Sequence, residues 1–322
     1  MKKLGNKPPD NTILATYGGE GWLHRQLPLR DDIANGNIWH PCGYQSECAS
    51  LKEVVLSWPG KELEYGCAPN EMLMLARPDV GMIQAQTLKL ADFYKSHGVK
   101  VHIARPSSPP PPNFLFQRDL FWASPEGVVL ARPASVQRAG EERYSAEVLA
   151  GIGVPIVMHF HGNATFEGAD ALWLERNTVM LGTGVRTNGE AARQLGRFLR
   201  EFNVELIEIP LPKKCQHLLG IVNFIDVDLA AVHGGKITHQ LSDILSARKI
   251  RTILLPDNDD LNVRQGMNFV TLAPGKIVMP KGAPGVKASL EDHGIEAYEV
   301  EISEYLKAAG GLACLTGILR RD

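Results

Sequence analysis

No stretch of this 322-residue chain approaches the ~18 consecutive apolar residues that a membrane-crossing helix requires. Its amino terminus, MKKLGNKPPDNTILATYGG, has two lysines but lacks the continuous apolar segment of a secretory signal. An excess of one charge is missing too: 34 Lys and Arg stand against 36 Asp and Glu, a formal net charge of −2. Phosphate recognition calls for a concentrated basic surface, so the balance argues against a nucleic-acid binder. Cysteines are few. The five (Cys42, Cys48, Cys67, Cys215 and Cys314) are odd in number, irregularly spaced and without a C-x-x-C pair. Such a pattern suits a reduced protein better than a disulfide framework or a structural zinc site. The expectation is a soluble cytoplasmic protein with no membrane or nucleic-acid partner. A homodimer is the common default for its assembly.

What is present is a hydrophobic share of 44%, enough to bury one large core or two smaller ones. Five β-branched apolar runs each follow a helical stretch: VKVHIA at Val99, VPIVMHF at Val154, VELIEIP at Val204, IRTILLP at Ile250 and IEAYEVEI at Ile295. Upstream of each lies another apolar strand: EVVLSWPG, GVVLARP, TVMLGTG, DLAAVHG and KIVMPKG. Between them the helices carry a 3.6-residue period, as in NGEAARQLGRFLREFN, where Ala192, Leu195, Leu199 and Phe202 share a face. Open α/β sheets have a similar rhythm. Five units at near-constant spacing, with no substrate domain left over, favour closed five-fold repetition.

Two segments stand apart. Residues 1–40 lie outside the repeats and read as an arm packed over one face, leaving 41–322 as one repeat-built catalytic domain. PSSPPPPNFLF, at 106–116, contains four consecutive prolines and reads as a stiff polyproline lead-in that fixes Asn113 and Asp119.

Four stretches bring a reactive side chain to a strand edge. NFLFQRDLFW carries Asn113, Arg118 and Asp119; TFEGADALWL carries Glu167 and Asp170; CQHLLGIVNFID carries His217; GGLACLTG carries Cys314. Singly, each has an ordinary explanation: a surface ion pair, a turn residue, a satisfied interior histidine, a small buried hydrophobe. Together they supply a thiol nucleophile, a proton-transferring histidine, a carboxylate to orient it and a second carboxylate to hold a cationic electrophile. The glycine pair Gly310-Gly311 ends the last helix and lets the backbone present Cys314. MHFHGN offers a different chemistry, because His159 and His161 form an H-x-H at a strand end that suits a metal ligand pair. Two strand residues facing the same way explain it more simply, and no third ligand stands nearby in the sequence.

The order N-x-x-F-x-R-D, F-E-G-x-D, H-L-x-G and G-G-x-x-C-x-T resembles the guanidino-group-modifying superfamily: arginine deiminases, dimethylarginine dimethylaminohydrolases and amidinotransferases. The resemblance runs from about Cys42 to Arg321, including CGYQSECASLKEVVLSWPG as the first-strand region. It implies an α/β fold, a five-bladed propeller of ββαβ repeats (a pentein) carrying an N-terminal extension. It also implies that Cys314 attacks the guanidinium carbon, His217 is acid and then base, Glu167 pairs with His217 and the guanidinium, and Asp119 grips its nitrogens. Arg138 and Arg186, each nineteen residues after one of these carboxylates, match the arginines that bind a substrate carboxylate, alongside Asn113. Asp170 joins them as a substrate contact.

Where arginine deiminases place an aspartate two residues after the histidine, this chain has Leu219, an apolar wall that would tolerate an N-alkyl group. Amidinotransferases typically carry aspartate where Glu167 stands. Both departures favour hydrolysis of a guanidino C–N bond over amidino transfer, which stays the alternative. No metal and no cofactor is expected. A non-catalytic propeller of the same fold would have lost the four reactive residues.

Overall fold

The computed structural model describes residues 13–322. Fifteen strands form five three-stranded sheets with one shared plan. The first contains β1 (Leu51–Ser57) and β2 (Lys100–Ala104), joined by helix α1 (Val80–Ser96). The second is β3 (Phe121–Ser124), β4 (Gly127–Leu130), α2 (Glu141–Ile152) and β5 (Ile156–His159). The third is β6 (Ala171–Glu175), β7 (Thr178–Thr183), α3 (Gly189–Arg200) and β8 (Glu205–Pro210). The fourth is β9 (Val222–Asp226), β10 (Leu229–His233), α4 (His239–Ala247) and β11 (Arg251–Leu255). The fifth is β12 (Val270–Ala273), β13 (Lys276–Pro280), α5 (Pro284–Glu291) and β14 (Glu296–Val300). The remaining strand, β15 (Gly317–Arg321), returns to the first sheet and pairs antiparallel with β1, Val54 opposite Ile318.

Within every sheet the first two strands are antiparallel and the last two parallel. A tight hairpin suffices for the former, whereas parallel strands need a crossover, supplied by the helix. Side chains start three of these helices: Asp79, Asn188 and Thr238 accept from Met82, Ala191 and Leu241 N–H groups. A left-handed residue ends all five, at Gly98, Gly153, Asn203, Lys249 and Gly294, two or three positions before the outer strand. Asparagine tolerates that conformation, while at Lys249 a Cβ is accepted at a cost of about 1–2 kcal/mol.

Burial grades across each sheet. The inner and middle strands are almost wholly buried, while the third strands are largely exposed or half-buried and point Lys100, Glu205, Arg251 and Glu296 to solvent. Charged outer edges discourage sheet-to-sheet aggregation. Neighbouring sheets touch through their inner strands, β15 lying against β3 and β9 against β12. Of the amino-terminal arm, residues 1–12 lie outside the described residues. The rest is sparsely packed. Its helix Leu29–Asn35 buries only Asp32 and Ile33, and Tyr17, Trp22 and Leu23 are exposed. No helix among the described residues is long and apolar enough to cross a membrane.

Candidate active site

Each unit places one polar side chain in the turn just ahead of its inner strand. Asp119 precedes β3, Glu167 precedes β6, His217 precedes β9, Asn268 precedes β12 and Cys314 precedes β15. Four were expected. Asn268 was not, and it is the closest described partner of the thiol: its Nδ2 donates to Cys314 Sγ at 3.2 Å, and its Oδ1 accepts the Cys314 N–H at 3.2 Å. The repeat register held the signal. In QGMNFVTLA the asparagine stands two residues before an inner strand, as Asp119 does before FWAS.

The glycine pair acts through close approach rather than unusual dihedrals. A Cβ on Gly310 would fall 2.0 Å from the Phe116 ring, and one on Gly311 would fall 2.5 Å from the Asn268 side chain. Both glycines therefore let the turn carrying Cys314 seat against the turns from the second and fifth units.

His217 Nε2 lies 2.8 Å from Glu167 Oε2, and its Nδ1 is 3.9 Å from Asp119 Oδ1. Burial works against an imidazolium here. The Asp119 charge and the Glu167 hydrogen bond outweigh it, lifting His217 to about 9. At neutral pH the ring is therefore cationic, donating Nε2–H to Glu167 and holding a second proton on Nδ1. Burial would raise Glu167 as well, but Arg138, His217 and Arg186 hold it well below the usual carboxylate range. Cys314 moves the other way. Burial, then the Asp119 charge, push its thiol up to about 11 against the opposing Gly311 N–H, Asn268 and Arg138. With no substrate bound, a neutral thiol faces a charged histidine.

Arg138 departs from its expected place. It is buried, and its Nη1 bridges Asp119 Oδ2 at 2.7 Å and Glu167 Oε2 at 3.0 Å. Its Nε and Nη2 both donate to Glu141 Oε2, at 3.0 and 2.8 Å. Four of its five N–H groups are engaged by these three buried acids, which without a cation would cost several kcal/mol each, and its side chain also lines the cavity beside Asp119 and Cys314. Glu141, three residues on, was not anticipated. Arg186 makes one contact, 3.3 Å to Glu167 Oε1, and remains partly open. Asn113 donates to Met72 O and lines the same cavity as Phe116, Asp119 and Cys314. The turn after the proline run, Pro112–Leu115, is fully buried, in keeping with a rigid lead-in.

Asp170 is also corrected. Its Oδ1 accepts the Leu218 N–H at 3.0 Å and its Oδ2 the Thr187 hydroxyl at 2.6 Å, with no exposed surface. Thr187 Oγ1 in turn accepts the Glu167 N–H. Asp170 thus fastens the turn of His217 to the turn of Glu167 and is a positioning residue rather than a substrate contact. Arg118 pairs with Glu47 at 2.9 Å, away from the cavity. His159 and His161 join no potential metal-ligand cluster among the described residues. The two such clusters are Asp119–Glu167–His217 and, on the first sheet, His40–Glu53–His102. In the first of them, Arg138 Nη1 already bonds one oxygen each of Asp119 and Glu167.

The turns of the five units thus bring a thiol, an amide, an imidazole and two carboxylates together. The family model described as arginine deiminase matches residues 87–237 and 230–321, and the chain belongs to that family. An arginine deiminase of Bacillus cytotoxicus is 26% identical, over 99% of this chain and 86% of its own length. Among solved structures, a mutant of the dimethylarginine dimethylaminohydrolase of Pseudomonas aeruginosa, complexed with citrulline, shares the fold. Its TM-score is 0.69 at 19% identity, covering 84% of this chain and all of that one. SxtG, an amidinotransferase from Microseira wollei, superposes with a TM-score of 0.70 at 16% identity, over 87% and 97% of the two chains.

Proposed function

We propose that this chain is a guanidine hydrolase in which Cys314 attacks the guanidinium carbon of an arginine-like substrate. One observation carries the reading: Asp119 Oδ1 is buried without a hydrogen-bond donor among the described residues, on a cavity shared by Cys314 and His217. A buried carboxylate oxygen left unpaired is costly, and a substrate guanidinium N–H would satisfy it. The way Asp119 and Glu167 already grip the Arg138 guanidinium supports the same substrate chemistry.

The residues take the roles their contacts suit. The bound cation lowers the thiol pKa, so the Cys314 proton passes to solvent as substrate binds, the histidine being already protonated, and the Asn268 N–H steadies the thiolate. Sulfur adds to carbon. The departing nitrogen takes a proton from His217 Nδ1, which has no hydrogen-bond partner among the described residues, and leaves as an amine, giving a thiouronium on Cys314. Water then gives its proton to the same ring and adds to that carbon, and the carbon–sulfur bond breaks to a ureido product. Glu167 holds Nε2 throughout, so the ring presents one edge in both steps. We read the five sheets as blades of a closed propeller, 41–322 as a single catalytic domain with residues 1–40 as its extension, and the inner-strand turns as one axial mouth.

Mass spectrometry of the protein incubated with arginine, dimethylarginine, agmatine and guanidino acids, with and without glycine as acceptor, tests the proposal. A ureido product is the expected result. An amidine found on the acceptor would make the chain an amidinotransferase instead.

A second check follows from the thiol. With Cys314 raised to about 11, thiolate is scarce at pH 7, and iodoacetamide should modify Cys314 slowly, its rate still climbing past pH 9. Peptide mapping would separate it from the partly exposed Cys67. A rate that levels off near pH 7 would mean a preformed thiolate–imidazolium pair.

A further inference from the structure

A second, larger cavity opens on the far side of the reactive pair. Its volume is about 300 Å³, and Gln216, His217, Ala309 and Cys314 belong to the walls of both cavities. The first holds Asp119, Arg138 and Arg186; the second is lined by Leu219, His233, Lys214, Lys236 and Asn268 and has no Asp or Glu in its wall.

His233 is the unexplained member. It is 3% exposed, and its Nδ1 accepts the Gly235 N–H at 3.2 Å. Burial, then the nearby Lys236 charge, lower its pKa and keep the ring neutral, which puts its single proton on Nε2. That Nε2–H is buried and makes no hydrogen bond of normal geometry among the described residues; the Asn262 side chain and Asp257 Oδ1, the latter at 3.9 Å, are polar neighbours of the ring. A buried donor in a wall that also carries two lysines and no carboxylate of its own, with Asp257 outside the lining, is the complement of an anion. Its position matters as much as its charge. His217, the proton donor to the departing nitrogen, stands between the cavities, so a substituent on that nitrogen points into the second one. The space equals roughly ten waters, far beyond what a methyl group fills.

We infer that the cavity lined by His233, Lys214 and Lys236 is a subsite for an anion-bearing arm on the guanidino nitrogen that leaves. This rests on the hydrolase reading above and narrows it: the substrate is an N,N′-disubstituted guanidine whose second arm ends in a carboxylate or phosphate. The amine released is then an anionic one, such as an amino acid. Bonds balance as before: sulfur–carbon forms, carbon–nitrogen breaks, and the His217 proton goes to the departing amine. Water afterwards restores the thiol and leaves the urea.

The test compares arginines bearing carboxymethyl, phosphonomethyl or the neutral carbamoylmethyl group on a terminal guanidino nitrogen, assayed for ureido product. We expect at least a tenfold higher kcat/KM for an acidic arm than for the amide, carried mainly in KM. The better acid identifies the anion. In Lys236→Met, a substitution at a partly exposed side chain, that ratio should fall towards one while the protein stays folded. A ratio near one in the native chain, with ureido product still formed, would overturn the subsite and leave the hydrolase reading standing. No product from any guanidine, and no covalent mass on Cys314, would overturn the reading beneath it.

Discussion

Cys314→Ser should lower ureido-product formation by at least ~10³-fold while leaving the thermal transition nearly unmoved. The reason lies in what sulfur does here and what it does not. Structurally, Sγ accepts one hydrogen bond, from Asn268 Nδ2, and the tie that holds the turn is the backbone N–H of residue 314 to Asn268 Oδ1. A serine keeps both. Chemically, a hydroxyl is far harder to ionise than a thiol, and the cationic His217 is in the wrong state to act as a base towards it. Acid-quenching the native chain during turnover should show an added amidine fragment on the peptide containing Cys314, and the serine variant none. A serine variant with native turnover would mean that water attacks directly and the covalent intermediate does not exist.

Arg138→Met should be the most destabilising single change at the site, by about 3–5 kcal/mol, because it strands Asp119, Glu141 and Glu167 without their shared cation. In a chain of this size that is roughly 4–8 °C in Tm. The same variant separates two functions of the arginine. Millimolar methylguanidinium should raise its Tm more than that of the native chain, since the small cation can take the place Arg138 has left between the carboxylates. Activity should be largely lost even where the protein is rescued, as Asp119 is no longer held in place. An unchanged Tm would mean that these carboxylates already bind protons and that Arg138 does not neutralise them.

Much of this was legible beforehand, and the gaps have physical causes. The middle and outer strand of every unit read clearly because each flanks an amphipathic helix. The inner strands, such as Phe121–Ser124 and Val270–Ala273, escaped the repeat count: they do not flank the crossover helix and, apart from β15, fuse through tight hairpins with the strand that follows. Only the family resemblance supplied them. Asp119, Glu167, His217 and Cys314 are brought together as expected because short motifs mark each of them. Asn268 lies in no such motif and is found only once the five turns are set in register. The inward turn of Arg138 and the internal bonding of Asp170 depend on which acid and which N–H lie nearest in space, and residues 17 to 48 positions apart along the chain decide that.

The return of β15 to β1 bears on how the protein comes to life. Joining strands some 260 residues apart costs about 5 kcal/mol of chain entropy if nothing in between has formed, and far less once four sheets have shortened the gap. Closure of the first sheet is thus favoured as a late event on the folding route. Cys314 sits three residues before that closing strand. On the proposed mechanism, a half-built chain has its acids and its histidine in hand but no nucleophile in position, and reactivity would switch on together with the final seam.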